Sequence, residues 1–190
     1  MTLEHIPLAG FGIRLEPTEI EDAEALAAVA EMDFFRYFVS LQPRSLDAFG
    51  AFLRDVLAAP ATLPYTLWVE GEPAGMSCYL DIRPEHRGVE IGMTWIARKW
   101  QGTYVNPAAK LLLLDHAFAS GAVRVQLKMD SRNDHSRRAV EKLGATFEGV
   151  LRRHMIQPNG HIRDTVMSSI VDEDWPRVRQ GLLARLGPRS

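Results

Sequence analysis

The stretch Trp100-Gln101-Gly102-Thr103-Tyr104-Val105-Asn106-Pro107 constrains this fold more than any other part of the chain. Ahead of it, residues 89–97 alternate and carry β-branched side chains in the manner of a half-buried strand. Behind it, residues 108–118 are apolar and long enough for a buried helix. Asn106 is a favoured N-cap, and Pro107 suits the first helical position, where a missing N–H costs nothing. The spacing therefore predicts a short polar loop seated on the positive end of a helix. Such an arrangement suits a phosphate-bearing ligand, a nucleotide or a coenzyme.

The rest of the chain supplies a frame around that junction. Residues 12–16 alternate and Pro17 stops them, which predicts a first strand. Thr18-Glu19-Ile20-Glu21 reads as a capping box opening a helix to about Glu31. Ser45 starts a second helix, with Leu46, Phe49, Phe52, Leu53 and Val56 at helical spacing. Residues 63–69 and 75–81 then form a hairpin about Glu70-Gly71-Glu72-Pro73. Beyond the central helix, residues 123–129 alternate, Asn133 or Asp134 caps another helix, and Gly144 closes it. Asn159-Gly160 joins strands 147–156 and 162–171, and an amphipathic helix from about Asp172 ends the chain. Three consecutive strands before a βαβ unit imply one α/β domain over residues 1–190, its mixed sheet antiparallel first and partly parallel later.

Composition excludes several classes. A net charge of -2 provides no basic field for nucleic acid. A lone cysteine, Cys78, within an apolar segment reads as a buried thiol and rules out a disulfide framework or thiolate cluster. The six histidines show no metal-ligand spacing, so no metal is expected. No apolar run approaches the ~20 residues that span a bilayer, and no signal peptide opens the chain, so a soluble cytoplasmic protein is expected.

Taken together, the order of elements and the local motifs resemble the GCN5-related N-acetyltransferase (GNAT) superfamily. Gln101 occupies the first place of that family's Gln/Arg-x-x-Gly-x-Gly/Ala loop, although Tyr104 and Asn106 stand where small residues are usual. Asn133-x-x-Ser136 followed by Glu141-Lys142-Leu143-Gly144-Ala145 matches the family's second motif. Residues 147–152, Asn159-Gly160 and Arg163-Asp164 are similar to the branch of ribosomal-protein N-terminal (RimJ/RimL-type) acetyltransferases. The resemblance implies a splayed parallel pair of strands that binds acetyl-CoA as co-substrate. It also implies transfer of the acetyl group to a primary amine, either a protein N-terminal α-amine or a small molecule, without a covalent enzyme intermediate.

By the same resemblance, the main chain of Trp95, Ile96 and Ala97 would hold the pantetheine arm. Gln101, Gly102, Thr103, Tyr104, Val105 and Asn106 would hold the diphosphate, and Asn133 the pantetheine amide or its own helix cap. A tyrosine at position 104 keeps the loop's shape only if its φ stays in an allowed region and its ring turns outward. Glu90, mid-strand and expected on the face of Thr94, is the candidate base, or else a surface carboxylate. Ser136 is the candidate proton donor to the leaving thiolate, or else a helix-turn residue. Glu148, His154 and Asp164 are further acceptor-site candidates. Phe34, Phe35, Tyr37 and Phe38 line either the acceptor cleft or the core. Two alternatives stay open: a non-catalytic acyl-CoA-binding module, favoured by Tyr104, and transfer of a larger acyl group such as succinyl. The apolar side of the last helix and the final hairpin can serve a homodimer.

Overall fold

A computed structural model describes residues 1–39 and 41–188. The chain runs β1 (Leu8–Gly10), β2 (Ile13–Pro17), α1 (Ala23–Val29), α2 (Phe49–Ala58), β3 (Leu63–Val69), β4 (Glu72–Arg83), β5 (Gly88–Ile96), α3 (Val105–Ala119), β6 (Arg124–Asp130), α4 (Asp134–Leu143), β7 (Thr146–Ile156), β8 (Ile162–Val171) and α5 (Trp175–Leu186). Single 3₁₀ turns punctuate it at Ile20–Asp22, Met32–Phe35, Pro84–His86 and Arg98–Trp100.

Among the described residues, eight strands join one sheet in the order β1-β2-β3-β4-β5-β6-β8-β7. Neighbours are antiparallel except β5 and β6, which α3 connects as a parallel crossover. The mixed sheet and the splayed pair are those expected from the sequence. Strand β8 matches its expected bounds. The β3–β4 turn is tighter than expected, because Glu70 and Gly71 both adopt positive φ (53° and 82°), the geometry of a two-residue hairpin turn.

Two clusters fill the two faces of the sheet. On one face α3 and α5 pack on Leu15, Tyr65, Leu67, Tyr79, Val89, Ile91, Val125 and Leu127. On the other, α1, α2 and the Met32–Phe35 turn bury Leu26, Phe35, Phe49, Phe52, Leu53, Met76, Cys78 and Trp95. The apolar side of α5 (Trp175, Val178, Leu182, Leu186) is consumed by this first core, Trp175 stacking on Phe118 with ring centroids 5.2 Å apart. That face is therefore not open to a second subunit. The hairpin does expose Phe147, Val150, Leu151, Ile156 and Ile162.

Several helix starts differ from expectation, each through a side chain that caps earlier or later. The first capping box is formed by Glu19 and Asp22 rather than Thr18 and Glu21, with the Glu19 amide donating to Asp22 Oδ2 at 3.2 Å. Thr18 instead turns inward to Thr66, with their hydroxyls 3.0 Å apart. Ser45 caps only a turn, accepting from the Ala48 amide at 3.2 Å, and α2 begins later. Helix α3 begins at Val105 with Tyr104 as its N-cap, so Asn106 is not the cap and Pro107 is the third helical residue. Thr103 Oγ1 accepts from the Val105 amide at 3.3 Å, and Pro107 still lies where an N–H has no intrahelical partner.

Candidate active site

The site grows out of one interruption in the sheet. β5 and β6 pair only at Gly88↔Arg124, Val89↔Val125 and Glu90↔Gln126, and then part. On its other side β5 stays bonded to β4, through Met76↔Trp95, Gly75↔Ile96 and an Ala97 amide that donates to Ala74 O at 2.9 Å. Antiparallel pairing alternates main-chain direction, so Trp95 O turns to β4 while the Ile96 N–H and C=O turn to the splay. A Cβ on Gly75 would collide with Trp95 O, so only glycine permits this close approach. The Ile96 carbonyl accepts from Gln101 Nε2 at 2.8 Å, which folds Gln101 against the strand end.

A bulge in β5 sets which side chains line the opening. Between the pairs Cys78↔Gly92 and Met76↔Trp95, Ser77 faces two residues, Met93 and Thr94, and Met93 has φ +48°. The extra residue reverses the alternation. Val89 and Ile91 face the α3 core, whereas Met93 packs with Leu80 and Trp95 against the α1/α2 core. Glu90 and Thr94 thus face opposite sides of the sheet, contrary to the simple alternation expected of this strand. Thr94 points to α3, where its Oγ1 accepts from Lys110 Nζ at 2.6 Å. Lys110 is buried, and burial pushes its ammonium down to about 7, the neighbouring Cys78 opposing the change.

The loop after β5 has the geometry its tyrosine requires. Gly102 takes the positive φ (+73°) and has open space around its Cα, whereas Tyr104 sits at φ −73°, ψ −13°. The Tyr104 ring turns away from the loop onto the β1–β2 turn, where a Cβ on Gly12 would meet its hydroxyl at 3.4 Å. Asn106 Oδ1 is buried without a hydrogen-bond partner. The first amides of a helix lack i−4 acceptors, so the start of α3 presents N–H groups at the C-terminal end of β5. On the other side of the splay β6 runs into α4, where Asn133 Oδ1 caps the helix by accepting from the Ser136 amide at 3.1 Å. The carboxyl ends of the parallel pair and the amino ends of two helices thus surround one crevice.

A family model described as the acetyltransferase (GNAT) domain matches residues 13–146, more than half of the chain. The chain belongs to the GNAT acetyltransferase family. Members of this family pass an acetyl group from acetyl-CoA to an amine. The "Uncharacterized N-acetyltransferase YoaA" of Bacillus subtilis (strain 168) is 33% identical over 87 residues, 46% of this chain and 49% of that protein. The chain thus spans about half the length of this curated relative. A crystal structure of a candidate acetyltransferase from T. thermophilus superposes with TM-score 0.91 at 36% identity, covering 98% of this chain and 100% of that one. RimJ of Mycobacterium smegmatis, solved in complex with CoA-disulfide, superposes with TM-score 0.76 at 22% identity, covering 94% of this chain and 92% of that one. At that identity the likeness to RimJ is one of fold.

Beside the GNAT splay, the face opposite α3 is a polar floor. Glu90, 8% exposed, is paired through Oε2 with Lys128 Nζ at 2.7 Å. Gln126 bridges Asp81 (2.8 Å) and Arg83 (3.3 Å). Asp130 is chelated by Arg132, whose Nε and Nη2 donate at 2.9 and 2.8 Å and whose amide adds a third bond at 2.9 Å. Burial opposes ionisation of Asp130, but these bonds and the Arg132 charge more than offset it and hold its carboxyl below the usual range. The Met32–Phe35 turn borders the floor. Phe35 is core, Phe34 stacks on Trp95 at 5.8 Å, and Tyr37 Oη donates to Arg132 O at 3.4 Å.

Three expected acceptor residues lie elsewhere. Glu148 is held by the two terminal nitrogens of the Arg124 guanidinium at 2.5 Å and by Ser169 Oγ at 2.8 Å, at the closed end of β6. Asp164 accepts from the Arg153 amide at 2.6 Å, and His154 lies exposed on the edge strand β7. Sequence reasoning does not single out Lys110 or Lys128, and it names Arg163 only within the Arg163-Asp164 pair that carries the resemblance, with no role at the site. The signal for Lys110 is its place inside the apolar run of α3, and for Lys128 and Arg163 their place among alternating strand residues. Among the described residues, no three His, Cys, Asp or Glu side chains gather at metal-binding spacing, and no helix is long and apolar enough to cross a membrane.

Proposed function

We propose that this chain acetylates a primary amine by direct attack on acetyl-CoA bound in the splay between β5 and β6. The parting of these strands after Glu90 and Gln126, directly beside the start of α3, carries the reading. The diphosphate lies against the amides of residues 101–106, and the pantetheine arm runs along the open edge of β5 at Ile96. The amine nitrogen attacks the thioester carbonyl, so a C–N bond forms and the C–S bond breaks. Glu90 takes the amine's proton, directly or through water, while Lys128 fixes the carboxylate in place. Ser136 Oγ returns a proton to the leaving thiolate, its own amide being held by Asn133. The acceptor is a protein N-terminal α-amine or a small amine, and the reaction belongs in the cytoplasm. The exposed β7–β8 hairpin is the surface for a second copy of the chain, checked by sedimentation.

The test is thiol release from acetyl-CoA over a panel of amines. Glu90→Gln should depress turnover most at low pH, where little amine is neutral, and leave CoA binding intact. An unchanged pH–rate profile removes Glu90 from the base role. Tight CoA binding with no acceptor-dependent thiol release would identify a non-catalytic module, and preference for succinyl-CoA a different acyl donor.

A further inference from the structure

Among the described residues, two guanidinium groups of the polar floor have a buried Nε without a hydrogen-bond partner: Arg83, whose Nε still lies 3.6 Å from Asp81 Oδ2, and Arg163. Arg163, on β8, is 5% exposed, yet its Nε is buried with no hydrogen-bond partner. Its Nη1 donates to Tyr37 O at a long 3.4 Å. Asp130 and Glu90 act on it through space, but their carboxylates bond to Arg132 and Lys128 respectively. Across the floor, four cations (Arg83, Lys128, Arg132, Arg163) face three carboxylates (Asp81, Glu90, Asp130), leaving one positive charge over. A buried guanidinium with five donors and one long bond is costly unless something completes its shell.

The covering of Arg163 is lightly fastened. Among the described residues, three hydrogen bonds tie the segment after the Met32–Phe35 turn to the floor: Arg163 to Tyr37 O, Tyr37 Oη to Arg132 O, and Gln157 Nε2 to Arg36 O. The Arg132 guanidinium also lies over the Tyr37 ring, 5.7 Å from its centroid. Each of the three bonds is 3.4 Å long. The Tyr37 carbonyl thus stands where a stronger oxygen acceptor would fit. A carboxylate would satisfy the guanidinium with two short charge-assisted bonds and cancel the surplus charge.

We propose that Arg163 is an anion-receiving subsite of the acceptor cleft, displacing Tyr37 O to bind a carboxylate carried a few bonds from the amine that is acetylated. This rests on the acetyl-transfer reading above, and it narrows the acceptor to an amino-carboxylate. Two sources share that chemistry: a free amino acid, and a chain end with an acidic residue beside its N-terminus.

Calorimetric titration of the CoA-saturated protein tests the subsite without turnover. One arm compares alanine with alaninamide. The other compares amide-capped Ser-Asp-Gly with Ser-Asn-Gly. The acid should bind at least about tenfold tighter than its neutral twin in one arm, which names the source, a difference of about 1.4 kcal/mol. Arg163→Gln should reduce that ratio to within about twofold while Arg163→Lys keeps part of it, both checked for folding by thermal melting. Equal binding of acid and amide in both arms of the unmodified protein overturns the subsite and needs no variant, as does failure of all four to bind. Preference persisting in Arg163→Gln overturns it too. Thiol release with neutral amines, run in parallel, separates these outcomes from failure of the acetyl-transfer reading, which would show no acceptor-dependent release, with or without CoA binding.

Discussion

Replacing Lys110 with methionine should make the protein more stable at neutral and acid pH, although it removes two hydrogen bonds. Lys110 Nζ donates to Thr94 Oγ1 at 2.6 Å and Ser77 Oγ at 3.4 Å, and its pKa lies at about 7 in the fold against 10.5 for an ordinary lysine. Between those values the unfolded chain holds a proton that the native state has shed, so stability rises with pH by about 1.4 kcal/mol per unit. Over the whole interval this amounts to about 5 kcal/mol, a penalty fully present below pH 7 and relieved towards pH 10.5. The neighbouring Cys78 is pushed up to about 12 by burial, so it remains a neutral thiol over this range and leaves the sign of the effect unchanged. Methionine fills the space of the lysine stem, and Ser77 and Thr94 keep their mutual bond at 2.7 Å. Urea unfolding of both proteins at several pH values from about 6 to 9 measures the effect, because subtraction cancels the groups they share. The stability of the natural protein minus that of Lys110→Met should be flat at the acid end and climb by about 1.4 kcal/mol per unit above pH 7.5. A flat difference throughout would refute the account of a native lysine that loses its proton near neutrality.

Tyr104→Gly should leave CoA affinity within about tenfold while costing about 2 kcal/mol of stability, since the ring packs on the β1–β2 turn rather than into the loop; calorimetry and urea melts read the two separately. Gly75→Ala should cost about 3 kcal/mol or more, because its Cβ would overlap Trp95 O, and heteronuclear NMR should show shifts concentrated at residues 93–97. Asp130→Asn should cost about 1–3 kcal/mol at neutral pH. The Asp130 carboxyl is held low, so its stabilisation is present above the ordinary carboxylate range and lost as pH falls through its native value; the urea midpoint of the variant should fall less on acidification than that of the natural protein.

The features legible in the sequence are those carried by local pattern. The Asn159-Gly160 turn, the bounds of β8 and the Asn133 cap follow from short-range rules, and the structure reproduces them. Asn-Pro is a strong local signal, yet α3 starts ahead of it with Tyr104 at the N-cap, and Thr103 Oγ1 accepts from the Val105 amide two residues on. β1 escapes detection because three residues, Leu-Ala-Gly, have no period; its strand exists through pairing with β2. The face of Thr94 is hidden for a deeper reason. A non-glycine residue with positive φ leaves no mark in composition, and Met93 looks like any other apolar strand residue. Arg163 is hidden in the same way, since its lack of partners depends on Arg132 and Lys128 claiming the nearby carboxylates.

The irregularity at Met93 makes one position in β5 act as a phase setter for everything downstream. Excising that single residue would set Thr94 opposite Ser77 and leave Trp95 opposite Met76, so plain alternation would return with Trp95 still in its nest of phenylalanines and Ile96 still towards the α3 layer, whereas flattening the kink at full length would turn both over. A substitution that irons out the kink while keeping the strand's length should therefore do more harm than shortening the strand at Met93, because only the former would exchange the tenants of two cores at once.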